Sequence, residues 1–152
     1  MFINLLPTSD KMFSVSFSKY SENHFLKTFQ KKYPGKQWEL TLKSILEDLA
    51  RLRMPNNETQ RGQQIDELKH FDECWIAKYD FRVAGTKEST KGSGNRCIVF
   101  IDVNKNKLEI LLIYNKTDLP KNKDETVYIF DVLEEQYPDY MSRFVNINSN
   151  IK

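Results

Sequence analysis

Lys78, Asp80 and Arg82 alternate along an apolar-rich run, Cys74-Trp75-Ile76-Ala77-Lys78-Tyr79-Asp80-Phe81-Arg82-Val83. In an extended strand residues two apart share a face, so the three charges stand in a row. The other face carries Trp75, Ala77, Tyr79, Phe81 and Val83 and is mostly apolar. A sheet built this way packs helices on its oily face and meets something polar with its charged one. The row has two readings. As chemistry, the lysine and arginine hold an anion, the guanidinium gripping it in two places, while the carboxylate accepts a proton. As architecture, it is a solvated ladder of charges across neighbouring strands.

The other reactive side chains offer less. His24 and His70 have no neighbours at metal-ligand spacing, so surface or structural roles are expected. Cys74 and Cys97 sit in strand-like runs and read as buried thiols of a reducing compartment. The stretch 85–94 is rich in glycine but lacks the Gly-Lys-Ser/Thr order and the strand-to-helix setting of a phosphate-binding loop. No cofactor and no metal are expected.

Two further runs must lie beside the first to position its charges: Asn95-Arg96-Cys97-Ile98-Val99-Phe100-Ile101-Asp102-Val103 and Lys107-Leu108-Glu109-Ile110-Leu111-Leu112-Ile113-Tyr114-Asn115-Lys116. Rich in aromatic and β-branched residues and bounded by turn formers, the three read as consecutive antiparallel strands. Asn104-Lys105-Asn106 makes a tight turn between the second and third. The loop 85–94 has no apolar anchor and reads as mobile.

Upstream, Phe13, Val15 and Phe17 alternate with serines, the pattern of a half-buried strand. Ser21 is placed to cap a helix whose inner stripe is Phe25 and Phe29, and Pro34-Gly35 ends it. Trp38, Leu42, Ile45, Leu49 and Leu52 step by three and four residues along a second helix, stopped by Pro55-Asn56-Asn57. Residues 56–73 are polar, with Ile65 and Leu68 on a short helical turn. A closing helix over 127–137 offers Ile129, Phe130, Val132, Leu133 and Tyr137. The class is α+β: an N-terminal strand, an α-helical hairpin, then an antiparallel sheet of about four strands with a short C-terminal helix. The hairpin covers one sheet face and leaves the other partly open. One domain over 12–140 is expected, with an arm over 1–11 and a tail over 141–152.

The totals agree. The chain has 152 residues, 39% hydrophobic and 29% charged, enough for a core and unlike a disordered segment. A net charge of +2 excludes a polycation, so any electropositive site is local. No apolar run approaches the ~20 residues that span a bilayer. The start, Met1-Phe2-Ile3-Asn4-Leu5-Leu6-Pro7, has no basic flank and too short an apolar run for a signal peptide, so a cytoplasmic location is expected.

This order of elements resembles the bacterial RelE/ParE toxin superfamily of type II toxin–antitoxin systems. The resemblance rests on the helical pair, on Lys78-Tyr79-Asp80-Phe81-Arg82-Val83-Ala84-Gly85, and on Asn95-Arg96 opening the next strand. It extends through Ile110-Leu111-Leu112-Ile113-Tyr114-Asn115-Lys116 and Glu125-Thr126-Val127-Tyr128, covering roughly residues 12–135. It is an architectural pattern with scattered residues. It implies a RelE-like, ribosome-dependent mRNA endonuclease neutralised by a cognate antitoxin. The ParE branch instead poisons DNA gyrase.

By position, the resemblance makes Lys78 the first basic residue of the active face, with Asp80 where the family often has a second. Arg96 matches the arginine that opens the next strand, Lys116 the basic residue after the last, and Tyr128 a C-terminal aromatic. RNA cleavage by 2′-hydroxyl attack needs a proton acceptor, charge on the phosphate and a donor to the leaving oxygen. Arg82 and Arg96 suit the phosphate, with Lys78 or Lys116 assisting, and Tyr128 orients or stacks on a base. Arg96 is expected on an exposed face, and Asp80 either acts as a base or pairs with Arg96. The competing reading is a non-catalytic protein of the same fold that binds gyrase or an antitoxin. Asp80 and the low net charge favour it.

Overall fold

A computed structural model describes residues 12–54, 58–59 and 65–145. The arm over 1–11, the Pro55-Asn56-Asn57 stop and the end of the expected tail lie outside the described residues. The fold is α+β: an N-terminal strand, helices, then a mostly antiparallel five-strand mixed sheet, with a C-terminal helix. Strand β1 is Ser14–Phe17. Helix α1 (Lys19–Ser21) runs through a π-helical stretch (Glu22–Leu26) into α2 (Lys27–Lys32), and α3 is Lys36–Ala50. Strands β2 (Ile65–Phe71), β3 (Cys74–Phe81), β4 (Asn95–Asp102) and β5 (Lys107–Asn115) follow, then α4 (Glu125–Gln136) and α5 (Pro138–Met141). The sheet order is β1-β5-β4-β3-β2, with β1 parallel to β5 and the other neighbours antiparallel.

The first sheet face is as the alternation requires. Ala77, Tyr79, Phe81 and Val83 join Trp38, Ile45, Leu49 and Leu52 in one buried core. Phe29 stacks on Trp38 with centroids 5.1 Å apart. Polar bonds fix α3 in place as well. Tyr79 donates to Asp48 at 2.9 Å, and Thr41 Oγ1 accepts from the Ala84 amide at 2.8 Å. Leu52 is buried although α3 ends at Ala50. The first helix begins earlier than expected: Ser18, not Ser21, caps it, accepting from the Ser21 amide at 3.0 Å. Ser21 is itself buried and donates to the Ile110 carbonyl at 3.0 Å. Phe29 and Phe25 both pack into the first core, as the stripe requires, and Phe25 reaches the second core as well.

The second face corrects the expectation of an open side. Ile76, Ile98, Phe100, Leu111, Leu112 and Tyr114 are buried there against Ile129 and Leu133 of α4 and Phe144 beyond α5. Helices therefore cover both faces, which is why β4 is buried at every position. An irregularity in the β4–β5 register helps: Ile98 faces Leu112 but Val99 faces Ile110, leaving Leu111 as the extra residue. A bulge of this kind lets Leu111 and Leu112 both serve the second core.

Three smaller expectations change. Residues 65–71 are a strand, not a helical turn: they take up the free edge of β3, Ile65 pairing with Tyr79 and Phe71 with Cys74. The loop 85–94 is tied down by polar rather than apolar anchors. Ser93 Oγ donates to the Phe81 carbonyl at 2.7 Å, and the Lys116 amide donates to the Gly94 carbonyl at 2.9 Å. Gly94 has φ +75°, and a Cβ there would stand 3.3 Å from Lys116 Cγ, so this close crossing needs glycine. The expected tail contributes Phe144, which is buried in the second core. The far end of α4 is held by Tyr137, whose hydroxyl donates to the Leu111 carbonyl at 2.7 Å and meets Ser18 Oγ at 2.6 Å.

Candidate functional site

The register sets three polar side chains abreast on adjacent strands. Asp80 of β3 is opposite Arg96 of β4, and Arg96 is opposite Tyr114 of β5. Neighbours across a ladder present the same face. Here it is the face that α4 covers, so the three project beneath the start of that helix. Asp124 caps α4, its carboxylate accepting from the Thr126 amide at 3.0 Å and the Val127 amide at 3.3 Å. The first helical residue, Glu125, is thereby aimed into the row.

The result is a closed ionic cluster. Arg96 Nη1 donates to Glu125 Oε1, and Tyr114 donates to Glu125 Oε2 at 2.7 Å. Arg96 Nε lies 3.2 Å from Asp80 Oδ1. That approach is off-axis, so both atoms are buried and charge-paired but without a hydrogen bond. Arg96 is 8% exposed, which corrects the expectation of a solvent-facing arginine.

Protonation follows from this packing. Burial raises the Asp80 carboxyl above its ordinary value, against the pull of Arg96 and Lys78. Burial would raise Glu125 too, but hydrogen bonds from Arg96 and Tyr114 outweigh it and hold the carboxyl below the usual range. Burial opposes the charge of Arg96, yet its bond to Glu125 leaves it more firmly protonated than usual. Tyr114 is pushed up, first by burial and then by the Glu125 carboxylate.

The sequence-derived candidates fall unevenly around this cluster. Lys78 is half-buried on the same strand and close enough to act on Asp80 and Glu125. Tyr128 is half-buried one turn along α4, its ring 6.3 Å from that of Tyr114 and edge-on. Lys116 is exposed at the start of the turn Lys116–Asp118. Arg82 lies past the end of β3, exposed. His24 and His70 stack on Tyr20 and Trp75, and both cysteines are free, Cys97 buried and Cys74 half-buried.

Sequence reasoning missed Glu125 and Tyr114. Glu125 fits an ordinary first-turn acid, and Tyr114 an ordinary strand aromatic. Only the pairing of three strands under α4 unites them.

Outside the cluster, a shallow depression of about 510 Å³ is lined by Lys116, Leu119, Pro120, Lys121, Lys123 and Glu125. Glu125 thus has one side on Arg96 and the other on a lysine rim. Lys123 also meets Asp131 at 2.5 Å on the surface. A second depression, of about 350 Å³, lies against Asp102, Lys107, Glu109 and Arg143, and its lining includes none of the candidates. Among the described residues no group of three or more His, Cys, Asp or Glu side chains could hold a metal ion. Nor is any described helix long and apolar enough to cross a membrane. No family model, curated protein or solved structure matches the chain.

Proposed function

We propose that the protein is a RelE-like toxin, an endoribonuclease that cuts mRNA on the ribosome and is neutralised by a cognate antitoxin. The observation that carries this reading is Arg96 and Tyr114 abreast under the start of α4, with Tyr128 edge-on to Tyr114, Lys78 close enough to act on Asp80 and Glu125, and Glu125 lining a depression shared with Lys116. A phosphodiester at Arg96 gains charge-assisted hydrogen bonds that strengthen as negative charge builds in the transition state. Lys78 adds positive potential from the same strand as Asp80, and Lys116 from the rim of the depression. Asp80, its carboxyl raised by burial, is the candidate proton acceptor. Tyr128 offers an aromatic face for a base. Arg82 takes no part in this geometry and serves at most as an outer phosphate contact.

The competing reading is a non-catalytic protein of the RelE/ParE fold that acts by binding gyrase or an antitoxin. It is favoured by the two carboxylates, Asp80 and Glu125, that already neutralise Arg96. Cleavage of mRNA on programmed ribosomes separates the two. Wild type is expected to cut within codons. Arg96→Lys keeps the charge but loses the fork, and should cut on the order of 10²-fold more slowly. Intact mRNA with wild-type protein, ribosomes and message present refutes the endonuclease, and a DNA-damage response on expression then points to gyrase.

A further inference from the structure

We propose that Glu125 is a latch on Arg96: it occupies the place of a phosphate, and a phosphodiester arriving over the lysine rim displaces it. This rests on the phosphate-binding reading of Arg96 given above and adds to it a control element. Glu125 presents a two-oxygen anion to a guanidinium, as a phosphate would. One oxygen takes Arg96 and the other takes Tyr114, so the site is filled by the chain itself.

Two features make the latch openable. The Glu125 side chain keeps 23% exposure, while Arg96 and Asp80 keep 9% and 10%, so Glu125 is the member that solvent and solutes reach. It lines the same depression as Lys116, Lys121 and Lys123, where it is the one acid among three lysines. An incoming anion therefore meets attraction before it meets competition. A phosphate can take Nη1 in the place of the Glu125 oxygen.

A self-occupied site weakens binding by the fraction of molecules in which it stands open. Removing the charge of Glu125 should raise that fraction. The test uses the full chain and a labelled RNA oligonucleotide carrying 2′-O-methyl groups, which cannot be cut. Binding is read by fluorescence anisotropy at low salt. Glu125→Gln is expected to bind about tenfold tighter than wild type. Tyr114→Phe, which frees one Glu125 oxygen and leaves the charge, should move the same way by less. In wild type, adding the oligonucleotide should shift the Arg96 Nε–H resonance together with the Thr126 and Val127 amides.

Glu125→Gln that is folded by circular dichroism and binds no tighter overturns the latch. If that variant does not fold, the wild-type titration decides, and an unmoved Arg96 resonance overturns it equally. The two claims fail separately. Tighter binding by Glu125→Gln with no mRNA cleavage by wild type removes the endonuclease and keeps the latch. Cleavage by wild type with unchanged binding removes the latch and keeps the endonuclease.

Discussion

Arg96→Ala is expected to destabilise the fold strongly, contrary to what an exposed strand arginine would do. Removing one member of a buried ion pair costs about 3–5 kcal/mol, because the partner is left charged and dry. Here two carboxylates lose their cation, but unequally. Glu125 keeps the Tyr114 hydroxyl at 2.7 Å and is 23% exposed, so water replaces much of what it loses. Asp80 is 10% exposed on its side chain and keeps only the more distant pulls of Lys78 and Lys91, opposed by Asp66. The low end of the range applies, about 3 kcal/mol at pH 7. The pH dependence supplies a second reading of the same reasoning. Burial already raises the Asp80 carboxyl, and without Arg96 it rises further. A group with a raised folded-state pKa supports the fold fully below its unfolded value, about 3.9 for Asp, and loses that support as pH rises through the folded value. The deficit of Arg96→Ala relative to wild type must therefore shrink as pH falls from 7 toward 4. Urea unfolding at pH 7 and pH 5 measures both effects, and Asp80→Asn in the Arg96→Ala background should recover about 1 kcal/mol or more at pH 7. A loss under about 1 kcal/mol at pH 7, or one that does not shrink on acidification, refutes the account of Asp80 as the stranded charge.

Two other substitutions probe what surrounds the cluster. Leu49→Ala, at a side chain with no exposure between α3 and the sheet, should cost about 2–5 kcal/mol in urea unfolding, and a smaller loss would mean that the first core collapses into the gap. Asp124→Ala removes the cap that accepts from Thr126 and Val127, and should cost about 1 kcal/mol with early exchange of the amides of the first α4 turn; unchanged exchange would mean that the Glu125 contacts alone hold that turn.

How far the sequence carried the fold depended on whether a signal was local. The seam from Trp38 to Leu52 and the alternation from Trp75 to Val83 are periodic, and their residues do meet in one core. The covered second face had a signal too. Ile98-Val99-Phe100-Ile101 and Ile110-Leu111-Leu112-Ile113 are apolar on both faces, which a half-open sheet does not need. The charges of Lys78, Asp80 and Arg82 masked it, because they suggest a wet face while the neighbouring strands suggest a dry one. Strand β2 was hidden for a different reason. Its run Ile65-Asp66-Glu67-Leu68-Lys69-His70-Phe71 is that of an edge strand, whose place is set by the unpaired rim of β3 rather than by its own apolar content. For the candidate site, Arg96 and its possible partner Asp80 were legible as neighbours across strands. Glu125 was not, since it stands 29 residues from Arg96 and meets it only once α4 has folded back over the sheet.

The two ends of α4 are fastened by different means, and the difference bears on function. At the far end Leu133, Phe144 and the Tyr137 hydroxyl fill apolar space and satisfy a buried carbonyl. No solute competes for such contacts, because burial of apolar surface is non-directional and excludes water. At the near end the fastening is a carboxylate on a guanidinium. A buried ion pair is no better for stability than apolar side chains of the same size, so stability alone does not account for charge at this position. What charge adds is exchangeability: the contact can be taken over by another anion, and by little else. The lysines of the depression stand on the side from which such an anion would come. Apolar residues at 96, 114 and 125 together would hold α4 as well and would answer to no ligand. Past the far end Arg143 lies 3.3 Å from Asp102, but α4 itself meets the sheet there through Leu133 and Tyr137, so the carboxylate on Arg96 is the contact of α4 for which the proposed phosphate would compete.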